Sequence, residues 1–316
     1  MRKYLLPETG NFYKANLHCH SVISDGKLTV EQLKEAYMKE GYSIIAYTDH
    51  SKYVAHNELS DENFLAINSY EEDISDWAVK DSRFRRCYHF NCYDKDPDGK
   101  KDVLEPLPDY NDMDGINEYI ARLNEAGFLV CYNHPNWSLQ NLDDYGGLKG
   151  LFAAEIYNHS AVIDGIDGNQ EIPYDNLLRA GNKLFCVATD DNHDIYDFDH
   201  PLNDSFGGFI WVKAPSLDYR AVIEALEKGD FYSSMGPEIY ELYVEDGRVH
   251  LECSPARKII LTTFGRRSEI RRAKKGESVS CADFSVDPTD KYIRIQIEDA
   301  GGLRANTNAY FVEDIL

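Results

Sequence analysis

What most constrains this chain is where its histidines fall. Residues 1–236 alternate short apolar runs with amphipathic stretches, and six of the ten histidines stand at or just past the C-terminal end of such a run. The segments 12–20, 43–49, 64–71, 84–93, 127–133, 151–158, 183–190 and 207–214 read as strands. Between them, 29–40, 114–126, 173–181 and 217–228 read as helices, the first opened by Thr29 with Gln32 three residues on, a capping-box pattern. Near-continuous apolar strands alternating with helices predict a mostly parallel α/β sheet, open or closed into a barrel. In such folds the C-terminal strand edge is where sites are built. Histidines placed in a core by chance would not select that edge six times.

His18 and His20 lie two apart on the first of these strands, so both imidazoles share one face and can reach one ion. Asp25 follows in a short loop. Thr48-Asp49-His50 closes the second run, Glu71 closes the third with Glu72 beside it, and His89 lies near the end of FRRCYH. His134 follows FLVCYN directly, and Asp190, Asp191 and His193 follow LFCVAT. Imidazole and carboxylate without thiolate suit zinc, manganese or iron and match calcium poorly. Such ions bring bound water towards neutral pKa and clamp the oxygens of a phosphoryl group.

The chain carries a formal charge of −22. Residues 237–316 hold 12 Lys and Arg against 14 Asp and Glu, so the acidity belongs to residues 1–236. A surface of that sign repels a phosphate backbone, which disfavours long nucleic acid as a partner and leaves a small anionic substrate as the expectation. No run of about 18 apolar residues and no signal-like start is present, so a cytoplasmic protein without a membrane span is expected. Seven scattered cysteines, with no CxxC pair, argue against a disulfide framework or a thiolate zinc site. They read as small buried hydrophobes.

After 229–238 the texture changes. Residues 241–254 read as a hairpin turning at Asp246-Gly247, and 258–264, 291–299 and 308–314 continue as strands with no helical period. Residues 237–316 are therefore expected to form a small antiparallel sandwich. The basic run 257–275 reads as a charged hairpin; the alternative is that it docks on the acidic part or steers an anionic substrate.

The segment NLHCHSVISDGKLTVEQLKEAYMKEGYSIIAYTDH resembles the first two motifs of the PHP (polymerase and histidinol phosphatase) family, and SYE, YHFN, NHP and DNH follow in the family's order. The resemblance covers about residues 12–236. It implies an α/β fold, a distorted (β/α)7 barrel over residues 1–236, with two to three divalent metal ions (Zn, Mn or Fe) at the strand C-termini. By motif, His18, His20, Glu71 and Asp191 would hold the first metal. Glu71 would bridge to a second held by His89 and His134, and Asp25, His50 and His193 would hold the third. Glu72 rivals Glu71 and Asp190 rivals Asp191, the D-x-H pattern favouring Asp191 as ligand and Asp190 as its support. Asp49, Lys52, Glu155, Asn158 and His159 are further candidates to support the ligands or touch substrate. His56, His200 and His250 match no motif. The implied activity is hydrolysis of a phosphate mono- or diester by a metal-bound hydroxide. Rivals are an amidohydrolase acting on C–N or C–O bonds, an exonuclease, and a non-catalytic metal-holding barrel whose sandwich binds a glycan or protein.

Overall fold

A computed structural model describes residues 2–316. After a short β1 (Lys3–Tyr4), the first part runs β2 (Asn11–Cys19), α1 (Val30–Lys39), β3 (Tyr42–Tyr47), β4 (Leu65–Ser75), β5 (Cys87–Asp94), α2 (Met113–Glu125) and β6 (Phe128–Tyr132). It continues with α3 (Leu142–Tyr145), β7 (Ala153–Asn158), α4 (His159–Ile163), α5 (Glu171–Arg179), β8 (Phe185–Thr189), β9 (Phe209–Ala214), α6 (Tyr219–Lys228) and β10 (Phe231–Ser234). The capping box at Thr29 forms as its spacing predicts: Thr29 Oγ1 accepts from the Gln32 amide and Gln32 Oε1 from the Thr29 amide. Of the helices, α1, α2, α5 and α6 fall where the periodicity places them; α3 and α4 are single turns too short to show a period.

The result is a mixed α/β fold on one large sheet. The pairs β2/β3, β3/β4, β6/β7 and β7/β8 are parallel, but β4/β5, β5/β6, β2/β9 and β9/β10 are antiparallel. The expectation of a mostly parallel sheet is corrected here. Only 11 residues separate β4 from β5, too short a link for a helical crossover, so the chain must return antiparallel. The strand path ends at β8, and β8 comes back against β2 at one corner: the Asp191 amide donates to His18 O and the His20 amide to Asn192 O, each at 3.0 Å. Apolar residues of β2, β3, β4 and β7–β9 fill the interior, including Leu17, Ile44, Ile67, Val187 and Ile210.

The rest is β11 (Ile239–Glu245), β12 (Arg248–Ala256), β13 (Lys258–Thr263), β14 (Ser268–Arg272), β15 (Val279–Ser285), β16 (Tyr292–Glu298), β17 (Arg304–Thr307), β18 (Tyr310–Phe311) and α7 (Val312–Ile315). β1, β11, β12 and β15 form one antiparallel sheet, while β13, β14, β16 and β17 extend the large sheet through the β10/β17 pair. Val249, Leu251, Ile259 and Ile295 share a core with Leu5 and Leu6 from the N-terminus. Residues 229–238, after which the texture of the sequence changes, contain β10. Residues 308–314, read as one strand without helical period, instead end in β18 and the single turn α7. The basic run forms the β13/β14 hairpin, with Arg267 and Arg271 both paired to Glu269. Six of the seven cysteines are buried; Cys281 is exposed. Among the described residues no helix is long and apolar enough to cross a membrane.

Candidate metal centre

β2 delivers His18 and His20, both fully buried, onto the sheet edge. His18 Nδ1 lies 2.7 Å from Glu155 Oε1. A carboxylate accepts, so it draws a proton onto Nδ1 and makes Nε2 the nitrogen that would face an ion. That Nε2 is 3.1 Å from His20 Nε2, 3.2 Å from Glu71 Oε1 and 3.0 Å from Asp191 Oδ1. Nitrogen and oxygen atoms carried by three strands thus converge on one point.

Glu71 does not close its strand: β4 runs on to Ser75. Its Oε1 is 3.1 Å from His89 Nδ1 and 3.4 Å from His134 Nε2, and accepts from Asn133 Nδ2 at 2.8 Å. Its Oε2 faces His50 Nδ1 at 3.0 Å and His20 Nε2 at 3.4 Å. Oε2 and His50 Nδ1 are both buried, yet they are not aligned as donor and acceptor and neither finds another hydrogen-bond partner. His89 is likewise not at the end of its strand. It lies near the start of β5, opposite Asp73, and reaches the same edge because β5 runs antiparallel to β4.

The third group is Asp25 with His20, His50 and His193: Asp25 stands 3.7 Å from His20 Nδ1, 3.7 Å from His50 Nε2 and 3.6 Å from His193 Nε2. His20 belongs to it as well as to the first group, and His50 presents its other nitrogen to Glu71. Asp49 holds the loop that carries Asp25, accepting from the amides of Ser21 and Ser24 at 2.9 and 3.0 Å and from both hydroxyls. The nine residues singled out by motif therefore meet in one place. Three sets, His18/His20/Glu71/Asp191, His50/Glu71/His89 and His20/Asp25/His50/His193, each bring their nitrogen and oxygen atoms within 4.8 Å of one another.

Their neighbours divide sharply. Strand alternation turns Glu72 to the opposite face, where Ser51 and Tyr119 donate to it and burial holds its carboxyl above the usual range. Asp190 also points away, accepting from Tyr37 and the amides of Phe206, Gly207 and Gly208. Burial pushes it up to about 7 even against those donors. Asp191 faces the imidazoles from a left-handed backbone (φ 56°), braced by Asn158 Nδ2 at 3.1 Å. Glu155 is buried behind His18 and does not line the cleft. His159 turns to Tyr157 and the Gly207 backbone, and Lys52 bonds the carbonyl of Ile23. His56 and His250 lie elsewhere, against Tyr47 and Asp283, and His200 stacks on Tyr196 without itself lining the cleft.

Asn133, Trp137 and Asp204 were not singled out in the sequence. Asn133 was legible in principle, since it sits directly before His134. Asp204, whose oxygens accept from the His193 and Asp194 amides at 2.8 and 3.0 Å, comes from a polar loop with no periodic signal. Trp137 looks like any apolar residue until its ring stands edge-on to His134 at 5.2 Å.

Electrostatics match the geometry. Burial alone would lower His18, but Asp191, Glu71 and Glu155 hold it well above the usual range. Burial likewise opposes, and the surrounding carboxylates overcome, so that His193 is pushed up to about 9. Burial would raise Glu71 and Asp191, yet the imidazoles hold both well below the carboxylate range. Protons and divalent ions compete for such a donor set, which fits mixed N/O metal coordination.

No protein-family model matches the chain. Over 41 residues, 13% of the chain, it is 46% identical to the DNA polymerase/3'-5' exonuclease PolX of Bacillus subtilis (strain 168), a match spanning 7% of that protein. Among solved structures it is similar to a two-domain protein of Bacteroides vulgatus ATCC 8482 described as containing a predicted PHP-like metal-dependent phosphoesterase. Identity there is 16%, over 97% of this chain and 98% of that one, with a TM-score of 0.43. An amidohydrolase of Chromobacterium violaceum with bound sulfate and no metal is 13% identical over 57% of this chain and 87% of that one, with a TM-score of 0.36. Read on its motifs, in the order HxH, SDG, TDH, SYE, NHP and DNH, the chain resembles the PHP family.

Proposed function

We propose that this chain is a metal-dependent phosphoesterase that holds two to three divalent ions among His18, His20, Asp25, His50, Glu71, His89, His134, Asp191 and His193. The observation that carries the reading is Glu71: a buried carboxylate surrounded by five imidazoles, with one oxygen lacking any hydrogen-bond partner. Bound zinc, manganese or iron would supply acidic water near neutral pH and stabilise charge on the ester oxygens. Around them the chain fixes geometry. Glu155 keeps His18 Nε2 forward, Asp49 holds the Asp25 loop, and Asn133 and Asn158 brace Glu71 and Asp191.

A cleft of about 250 Å³ opens over these groups, a size suited to a small phosphate mono- or diester. The charge of −22 favours such a substrate over long nucleic acid. We further read residues 1–236 as a distorted (β/α)7 barrel that closes at the β8/β2 corner, residues 237–316 as a sandwich-like accessory domain, and the cytoplasm as the place of action.

The test is metal content per chain on protein purified without chelator, with His20→Ala and Glu71→Ala checked for native circular dichroism. Turnover of p-nitrophenyl phosphate and its diester is measured alongside. Two to three equivalents, lost in part in both folded variants, with ester hydrolysis that follows the metal, is the expected outcome. Metal-loaded protein that cleaves amides or carboxylic esters but neither phosphate ester would overturn it.

A further inference from the structure

The cleft has two unlike walls. One is the histidines and carboxylates. The other is mainly apolar, formed by Trp137, Ile163, Ile195, Tyr196 and Leu202, with Ser160 and Asp164 also in the lining. Trp137 is 39% exposed, Ile195 65%, Tyr196 43% and Leu202 45%. One exposed apolar side chain is ordinary, but four on the rim of one cleft form the kind of patch that marks a ligand site.

The wall is held in shape. Trp137 Nε1 donates to Asp164 Oδ2 at 3.0 Å. The loop carrying Ile195, Tyr196 and Leu202 is tied at its feet, where Asn203 Nδ2 donates to Asp194 Oδ1 at 3.2 Å and Asp204 accepts from the His193 and Asp194 amides. Charge narrows the choice of ligand. Among the described residues no lysine or arginine lines the cleft, and the carboxylates of Asp164 and Asp204 lie in its lining. A second anionic group on a substrate would meet these carboxylates without a compensating cation. A polyhydroxylated group would give up water against Ile163, Ile195 and Leu202, which return no hydrogen bond.

We propose that this wall receives the leaving group, and that the substrate is a phosphate ester of a neutral, apolar alcohol, aryl or branched alkyl. The proposal rests on the phosphoesterase reading above. In the reaction a water oxygen bonds to phosphorus as the ester P–O bond breaks. The leaving oxygen takes up a proton, releasing the neutral alcohol and inorganic phosphate.

The test is calorimetric binding of methylphosphonate, phenylphosphonate and 3-phosphonopropionate to the manganese-loaded chain, together with Trp137→Ala and the exposed-loop variant Ile195→Ser, which leaves the core untouched. Phenylphosphonate is expected to bind at least about 10-fold more tightly than either of the others. Ile195→Ser should shrink the phenyl-to-methyl ratio while leaving methylphosphonate affinity unchanged, and Trp137→Ala should shrink the same ratio. Equal affinities in the parent chain, a preference for the carboxylated probe, or a ratio unchanged in both variants would overturn the proposal and leave the phosphoesterase reading standing. Metal-loaded protein that binds none of the three and turns over no phosphate ester would overturn that reading, and this inference with it.

Discussion

At the scale of single residues, Glu155 shows how much of a site lies behind its ligands. One oxygen accepts from His18 Nδ1 and Thr189 Oγ1, the other from the His134 amide and Asn158 Nδ2. Four donors converge on one carboxylate, so an amide cannot replace it without setting an N–H against a donor. Glu155→Gln is expected to weaken metal affinity about 10–100-fold, read by competition with a chromophoric chelator; a change under about threefold would mean that His18 is oriented by something else. The same scale explains two ambiguities in the sequence. Glu71 and Glu72 are chemically equivalent, and only the alternation of β4 against a known partner says which faces the imidazoles. Asp190 and Asp191 differ because one is captured by the amides of Phe206, Gly207 and Gly208, contacts that no local pattern announces.

Among the elements, α1 was fully legible because its start signal is local: Thr29 and Gln32 cap the helix whatever surrounds it. Thr29→Ala is expected to cost about 1 kcal/mol, lowering Tm by roughly 1–4 °C with metal content unchanged; loss of metal in that variant would show the helix positioning the site as well as covering it. Strand direction was not legible. Apolar content marked β4 and β5 as strands, but parallel and antiparallel pairing depend on what the link between them can span. The antiparallel return of β5 is what lets a histidine near a strand's start join ligands from strand ends. Close approach is another property of assembled elements. At Gly208 a Cβ would lie 2.3 Å from the Thr189 carbonyl oxygen, which is why the chain beside Asp190 carries no side chain there.

For the whole molecule, the first part is tied to the strands that follow it by buried charge. Arg294 on β16 makes a two-pronged bond to Asp175 on α5, both at 2.9 Å. Arg294→Met leaves Asp175 nearly buried and poorly paired, an expected loss of about 3–5 kcal/mol by denaturant melt. The double variant Arg294→Met with Asp175→Leu should recover much of it. Equal losses in the single and double variants would show that the pair does not act as a unit. Metal acts at the same scale. Stripping it with chelator is expected to lower Tm, and an ion at about 100 times its Kd should restore about 2.7 kcal/mol per site. That gain should shrink as pH falls from 7.5 to 5.5, because imidazoles already inclined to hold protons, His193 among them, must release them for the ion. A gain independent of pH would place the ion elsewhere.

The sequence by itself determined the inventory: which imidazoles and carboxylates are present, that apolar runs carry most of them to strand ends, and where the longer helices begin. These are local properties, set by side-chain chemistry and by periods of two and 3.6 residues. Tertiary structure alone decided that β5 returns antiparallel and that Trp137 and the 195–202 loop form an apolar wall over the cleft, and it is what turns Glu71 and Asp191, favoured by motif, toward the imidazoles and Glu72 and Asp190 away. Each of those depends on contacts between residues distant along the chain, and direction in space is a property of the assembled sheet rather than of any segment within it.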